Sequence, residues 1–143
     1  MSRFWRRFRS DRTGSAIIEF GILAPAILTL FVGILQVGLW MQSYNGLRSV
    51  AADAGRYVAV EYQKSNRINN LAMALWARQH AIDNYMFAEE KISSDVSDAP
   101  TQSIAGVTEK TLTLNYTMPS IFGIAGIGEI PVTFQRPIFV KTT

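Results

Sequence analysis

The sequence predicts an α+β protein with a long N-terminal helix, a second helix and a small antiparallel sheet. Residues 20–47 contain no Asp, Glu, Lys or Arg, which gives an uncharged run of 28 residues. Apolar residues then recur every three or four positions as far as residue 62, and residues 111–118 alternate between apolar and polar side chains. These two periods are typical of a helix packed on one face and of a half-buried strand.

The uncharged run predicts a transmembrane helix. As a helix it would be ~42 Å long, which exceeds the ~30 Å hydrocarbon core of a bilayer. Its apolar part covers residues 20–41, and we assign residues 15–45 to the membrane segment as a whole. A buried core helix is the alternative, but the remainder of the chain is too short to enclose a helix that is apolar on all sides.

The positive charge of the chain is confined to its N-terminus. Residues 1–14 hold five arginines and one aspartate, whereas residues 15–143 carry a net charge of −1. Such a cluster favours either nucleic acid or the anionic face of a membrane, and the helix that follows favours the membrane, with no nucleic-acid partner. The positive-inside rule then predicts a cytoplasmic leader (1–14) and an outer domain (46–143). A cleaved secretory signal is the alternative, but the apolar run is too long and no A-x-A-like site follows it.

The outer domain begins with the continuation of the first helix. One face of this part is predicted to pack on the domain and the other to face solvent. The packing face comprises Leu47, Val50, Ala51, Ala54, Tyr57, Val58 and Tyr62, and the other face comprises Arg48, Ser49, Asp53 and Arg56. A second helix is predicted over residues 68–88, with Leu71, Leu75, Ile82 and Met86 along one side.

Strands are predicted near the C-terminus. Leu112, Leu114, Tyr116 and Met118 should share one face of the first strand. A second strand is predicted over residues 130–140, with Val132, Phe134, Ile138 and Val140 on one side, and Pro137 marks it as an edge strand or a broken one. A loop is predicted over residues 89–103, with a short strand around Ile92.

Residues that could carry catalysis or bind a metal are few. His80 is the only histidine and is interpreted as a surface or interface residue. The acidic residues Glu89, Glu90, Asp95 and Asp98 lack the spacing of a calcium loop, so we predict a solvated loop and no metal. The glycines at 123, 126 and 128 are not followed by the Lys-Ser/Thr of a phosphate loop. They predict an apolar turn, or a contact surface for a partner or for lipid headgroups. The NYT at 115–117 is interpreted as a chance match to a glycosylation site. No cofactor and no enzymatic activity are predicted.

Glu19 is the unusual residue of the N-terminal region, because it places a carboxylate at the start of the membrane helix. An ionisable group in such a position indicates a function whose charge partner has to be found. If the chain is cut after Gly14, the new α-amine belongs to Ser15, only ~6 Å along the helix from Glu19. The carboxylate would then compensate this amine, either in its own chain or in a staggered neighbour, and would set the register of assembly.

Residues 14–20, GSAIIEF, resemble the G-x-x-x-x-E-[FY] processing site of type IV pilin-like proteins. The arginine leader before them, Pro25 after them and the stretch LRSVAADAGRYVAV make the resemblance closer to TadE-like proteins, the minor pilins or pseudopilins of the Tad (tight adherence, Flp) secretion system. The resemblance covers residues 10–60. It implies cleavage between Gly14 and Ser15 and an assembly motif at Glu19 and Phe20, and Pro25 is predicted to kink the helix.

The resemblance also implies partners and a location. The partners are a prepilin peptidase, the Flp major pilin, other TadE- or TadF-like minor pilins, the inner-membrane assembly platform and membrane lipid. The location is the bacterial inner membrane, with the outer domain periplasmic or extracellular, and the resemblance leaves open whether the subunit enters the pilus and contributes to adhesion. Two alternatives remain: an uncleaved single-pass protein whose outer domain binds a ligand or partner, and a membrane-tethered enzyme.

Overall fold

A computed structural model of the protein describes residues 13–101, 104, 106–126 and 128–141. It contains two α-helices, α1 (Thr13–Gln63) and α2 (Asn70–Tyr85), and three strands, β1 (Ile92–Asp98), β2 (Val107–Met118) and β3 (Ile130–Lys141). Short 3₁₀ helices lie at Glu89–Lys91 and Ile121–Ala125. The predicted α+β class, with its long first helix, second helix and small antiparallel sheet, is confirmed.

The chain divides into two compact units between Val37 and Gly38. The described part of the first unit consists of the N-terminal half of α1, and the second unit contains the rest of α1 together with α2 and the sheet. The predicted leader, residues 1–14, lies almost wholly outside the described residues. The division into a leader, a membrane segment and an outer domain stays a prediction.

The C-terminal half of α1 supplies one wall of the core. Leu47, Val50 and Ala51 are fully buried, Ala54 and Val58 are nearly so, and Tyr57 and Tyr62 pack against the same cluster. The predicted packing face of this helix is therefore confirmed. Residues spaced by three and four positions lie on one side of a helix. Burying that side removes apolar surface from water, which stabilises the fold by about 25 cal/mol per Å² of that surface.

The second helix is shorter than the predicted range of residues 68–88, and of the four side chains predicted along one side Ile82 packs against the core while the other three are exposed. Leu71 and Leu75 are 68% and 58% exposed, and Met86 lies beyond the helix end with its backbone in the left-handed region and its side chain 91% exposed. The buried side chains of α2 are instead Met73, Ala74, Ala77 and Ala81.

The close approach of α2 to β1 explains why alanines form the buried face. The Ser94 hydroxyl on β1 donates to the backbone carbonyl of Ala74 at 2.6 Å, so this side of the helix backbone lies directly against the strand. The Arg78 Nε also donates to the carbonyl of Ile92 at 3.2 Å. A leucine has no room at such a contact, so small residues line it and the leucines face outward.

The three strands form an antiparallel sheet in the order β1-β2-β3. Leu112, Leu114 and Met118 of β2 are buried, as the alternation predicted, and so are Val132, Ile138 and Val140 of β3. The strand expected around Ile92 extends over seven residues and pairs with β2 from Ile92↔Tyr116 to Asp98↔Lys110. The core thus lies between one face of this sheet, α1 and α2.

Strand β3 is an unbroken edge strand, so the edge position predicted from Pro137 is confirmed and the break is not found. The N–H of Ala99, just after β1, donates to the carbonyl of Glu109, which shows that the odd residues of β2 bond to β1 and the even residues to β3. The odd residues of β3, which pair opposite odd residues of β2, therefore turn their backbone groups to the open edge. Pro131 and Pro137 are among them, so the sheet loses no ladder bond to either proline.

Candidate processing and assembly site

The predicted cleavage position lies at the N-terminal end of the described part of α1. The described part of α1 starts at Thr13, and Gly14 and Ser15 lie within the helix directly after it. A Cβ added at Gly14 would meet nothing within 4 Å, so packing does not require glycine there.

Ser15 and Glu19 are brought together by the helix. The Ser15 hydroxyl donates to Glu19 Oε1 at 2.9 Å, across one turn. Residues four apart lie above each other on a helix surface. The side chain of Glu19 is thus directed back toward residue 15 and not along the apolar run.

The neighbours of Glu19 are apolar and uncovered by protein. The side chains of Ile18, Phe20 and Ile22 are 65%, 68% and 73% exposed. Exposure of such a surface to water is unfavourable. Contiguous apolar patches therefore mark sites of contact with lipid or with another protein. Phe20, the second member of the predicted assembly motif, belongs to this apolar surface.

Pro25 lies inside α1, and the helix continues through it. Proline lacks the N–H that would bond to the carbonyl of Gly21, four residues before it. On the next turn the Thr29 hydroxyl donates to the carbonyl of Pro25 at 2.8 Å. The kink predicted at this position stays a prediction.

A second polar cluster, in the other unit, involves the only histidine. His80 Nε2 lies 3.2 Å from Asp53 Oδ2, and the same oxygen accepts a 2.8 Å bond from the Tyr85 hydroxyl. Because the carboxylate can only accept, Nε2 carries the proton and Nδ1 accepts from the Asn84 amide at 3.0 Å. The imidazole also stacks on Trp76, with ring centroids 4.6 Å apart.

This cluster joins α1 to α2 and is built for structure. Both ring nitrogens of His80 have protein partners, so neither is presented to a substrate, and the expected interface histidine is what the structure shows. Sequence reasoning missed Asp53, which it placed on the solvent face of α1, and also missed Tyr85. The sequence gives only the number of residues between Asp53, Tyr85 and His80. That number predicts a contact between Asp53 and His80 only when the packing of α2 against α1 is already known.

The pKa of the Asp53 carboxyl lies below its ordinary value of 3.8, mainly because the Tyr85 hydroxyl bonds to the charged form; His80 adds to this, while burial opposes it. The same contact raises the pKa of Tyr85. A lowered carboxyl pKa contributes stability that is present above the unfolded value and is lost as the pH falls through the folded value. The tie between the two helices should therefore weaken below about pH 4.

Replacing Asp53 with asparagine should lower the free energy of unfolding by about 1–3 kcal/mol at pH 7, because two hydrogen bonds lose their charged acceptor. Urea unfolding of the full chain in detergent at pH 7, 5 and 3 measures this. The deficit should shrink toward pH 3, where the wild-type carboxyl is itself being protonated. Asp95→Asn, at an exposed position of β1, is the matched control and should stay within about 0.5 kcal/mol of wild type. A deficit that is constant across the three pH values would contradict this account.

The remaining residues singled out from the sequence are dispersed. Asp98 binds Lys110 and Asn70, and Glu89 binds Arg78, so these two acidic residues have separate cationic or amide partners. Within the described ranges no three His, Asp or Glu side chains gather as metal ligands would. The glycine-rich segment contains the 3₁₀ helix Ile121–Ala125, and Asn115 lies within β2, where its amide oxygen accepts a bond from Thr133.

Together these features define a class of protein: one long N-terminal apolar helix that leads into a small α+β unit. Among the described helices α1 is long and apolar enough to span a bilayer, and no part of its most apolar window is buried by the protein. The fold and the charge pattern fit a membrane-anchored protein.

Comparison with known families narrows the class. Residues 14–56 match the family model of TadE-like proteins, which confirms the resemblance over that segment. The match begins at Gly14 and extends over the apolar helix as far as the buried face of α1. No curated protein and no solved structure matches the chain significantly.

Proposed function

We propose that the protein is a minor pilin-like (pseudopilin) structural subunit for assembly of the Flp/Tad pilus. In this proposal a prepilin peptidase cuts the chain between Gly14 and Ser15, and the protein is a substrate and a structural component, with no catalytic activity of its own. The observation that carries the proposal is the contact between Ser15 and Glu19 at the start of an uncovered apolar helix.

Cleavage would supply a charge partner for Glu19, which forms no ion pair with the residues that the structure describes. The carboxylate already lies 2.9 Å from the side chain of residue 15, so an α-amine created on that residue would form within reach of it. In a medium of low dielectric constant, opposite charges at such range compensate each other strongly. Removal of residues 1–14 would also remove five arginines, which hold the N-terminus on the cytoplasmic side.

Assembly would use the same pair between subunits. When helices pack side by side with a stagger, the Glu19 carboxylate of one subunit meets the Ser15 amine of the next, and the matched charges fix the register. The exposed apolar side chains of α1 would then be covered first by inner-membrane lipid and afterwards by the helices of Flp pilin or of other TadE- or TadF-like subunits. The second unit would lie on the periplasmic or extracellular side.

The test is the intact mass and N-terminal sequence of the protein from native membranes. A chain that begins at Ser15 is expected for wild type, whereas Gly14→Val should accumulate with residues 1–14 attached, because a branched side chain blocks the position that the peptidase must grip as extended backbone. Gly21→Val is the matched control. An added Cβ meets nothing within 4 Å at either glycine, so neither variant disturbs packing.

The outcome also decides between this function and its alternative. A wild-type chain that keeps residues 1–14 in cells with an active prepilin peptidase would favour the uncleaved single-pass protein. Equal processing of Gly14→Val and Gly21→Val would show that cutting occurs elsewhere, and Glu19 would then be an ordinary residue of the membrane interface.

A further inference from the structure

The loop between β2 and β3 lies beside α1 at one end of the sheet. The last residue pair of the hairpin is Met118↔Ile130, and the Ser43 hydroxyl contacts Met118 Sδ at 3.7 Å. At the other end of the sheet, a groove brings Tyr62 and Arg67 together with Thr108 and Lys141. Strand β2 therefore runs antiparallel to the part of α1 that belongs to the second unit, and the chain leaves Met118 at the end where Ser43 lies.

The loop is apolar, and residues 120–126 within it form hydrogen bonds with one another. Residues 118–128, MPSIFGIAGIG, contain no charged side chain. The Ser120 hydroxyl accepts a 3.1 Å bond from the Phe122 N–H and caps the 3₁₀ helix, while Gly126 ends it in the left-handed region. Part of the backbone is thus satisfied within the loop, and the Ile121 side chain is 40% exposed.

The position of the loop coincides with the end of the predicted membrane span. Ser43 follows Met41, the last residue of that span, by only ~3 Å along a helix. The polar headgroup layer on each side of a bilayer is roughly 5–8 Å thick. Trp40 stacks on Tyr44 at 5.4 Å, and Tyr44 meets Phe134 edge-on at 5.5 Å, which is the type of side chain that collects at membrane interfaces.

We propose that the β2–β3 loop, in its described residues 119–126 and 128, rests in the headgroup region of the leaflet from which α1 emerges, so that the second unit binds the phospholipid surface. The base of the loop marks the polar limit of this contact, because Glu129 there forms a 2.8 Å ion pair with Lys91. The proposal depends on α1 spanning the membrane. It is independent of cleavage after Gly14 and of pilus assembly.

The uncharged loop, together with the aromatic side chains of Trp40 and Tyr44, favours lipid as the binding partner. Apolar side chains bordered by Trp and Tyr bind the boundary between headgroups and acyl chains, and the free energy of binding grows with the apolar area buried. A loop tethered to a spanning helix meets that boundary at high effective concentration. Even a small apolar tip is therefore held there.

The experiment uses single-cysteine variants of the full chain, which has no cysteine of its own. A polarity-sensitive dye is attached at Gly123→Cys, Thr101→Cys or Leu30→Cys after reconstitution into phosphatidylcholine vesicles. Gly123 is exposed and an added Cβ meets nothing within 4 Å, so Ile121 and Phe122 stay in place. Thr101 is an exposed control, and Leu30, 66% exposed, lies within the predicted span.

Quenching by lipids with a headgroup nitroxide is compared with quenching by aqueous iodide. The dye at residue 123 is expected to be quenched several-fold more by the nitroxide lipid, and several-fold less by iodide, than the dye at residue 101. Equal iodide quenching at both positions would overturn the proposal, and so would shielding of residue 123 from both quenchers, which would indicate a second copy or another protein. If iodide quenches the dye at residue 30 as strongly as the dye at residue 101, α1 does not span the membrane. That result would refute the span on which the proposal depends and is distinct from a result at residue 123 alone. The vesicles contain no peptidase, so the proposed maturation is not at stake.

Discussion

Glu19→Ala is expected to leave membrane insertion and cleavage intact while lowering incorporation into pili by roughly a hundredfold. Without the carboxylate, the Ser15 amine of a neighbouring subunit enters the apolar helix bundle unpaired. An unpaired charge at bilayer depth costs about 2.5–3.5 kcal/mol, which corresponds to that factor. The measurement is the amount of this protein in sheared pili relative to the amount in membranes.

Two further variants separate charge from hydrogen bonding at this site. Glu19→Gln keeps the size and the bond to the Ser15 hydroxyl but loses the charge, so it should be as defective as alanine. Ser15→Ala removes the hydroxyl of the 2.9 Å contact but keeps the α-amine, and it should assemble normally. A Glu19→Ala protein that enters pili at the wild-type level would show that the carboxylate has no role in register.

Leu114→Ala is expected to destabilise the second unit by about 2–5 kcal/mol, because it removes a fully buried side chain and leaves a cavity. Leu114 lies in the middle strand of the sheet, where neighbours on both sides restrict collapse around the gap. Urea unfolding of the full chain in detergent, followed by near-ultraviolet circular dichroism, measures the loss.

Leu75→Ala is the matched control for this truncation. The same atoms are removed from a helix position that is 58% exposed, and alanine is the better helix former, so the change should lie within about 0.5 kcal/mol of wild type. A cost at Leu75 comparable to that at Leu114 would mean that the outward face of α2 is covered by another protein or by a second copy.

The sequence determines the elements whose pattern has only one interpretation. In β2 the leucines alternate with threonines, so a single face can be apolar, and that face is buried. In α1, residues 47–58 combine helical spacing with charged residues opposite, which again leaves one choice. The family-model match over residues 14–56 includes the predicted processing motif at residues 14–20 and most of this helical face.

The second helix shows where sequence patterns become ambiguous. It carries two possible faces, one with Leu71 and Leu75 and the other with Ala74, Ala77 and Ala81. Hydropathy favours burial of the leucine face. The alanine face is buried instead because α2 lies close to β1, and this distance cannot be deduced from the sequence. Strand β1 was underestimated for a related reason, because only Ile92 and Val96 of its seven residues are buried and the rest are polar.

The polar contacts were the least predictable part of the candidate sites. Asp53 and His80 are 27 residues apart, and their contact exists only because α2 lies against α1. Ser15 and Glu19, by contrast, are four residues apart on one helix, so their proximity follows from helical geometry as soon as the helix is assigned. Contacts within one element can be predicted from a sequence, and contacts between elements require the packing.

The prolines on the open edge of β3 have a consequence for the life of the subunit before assembly. Copies anchored in one membrane meet often and in the same orientation, which favours pairing between exposed strand edges. A strand docking on β3 would face Pro131 and Pro137, so two of its carbonyls would find no donor, and such unpaired groups are costly. The β3 edge is thereby protected against pairing from copy to copy, and under the proposed function α1 would carry the contacts of assembly.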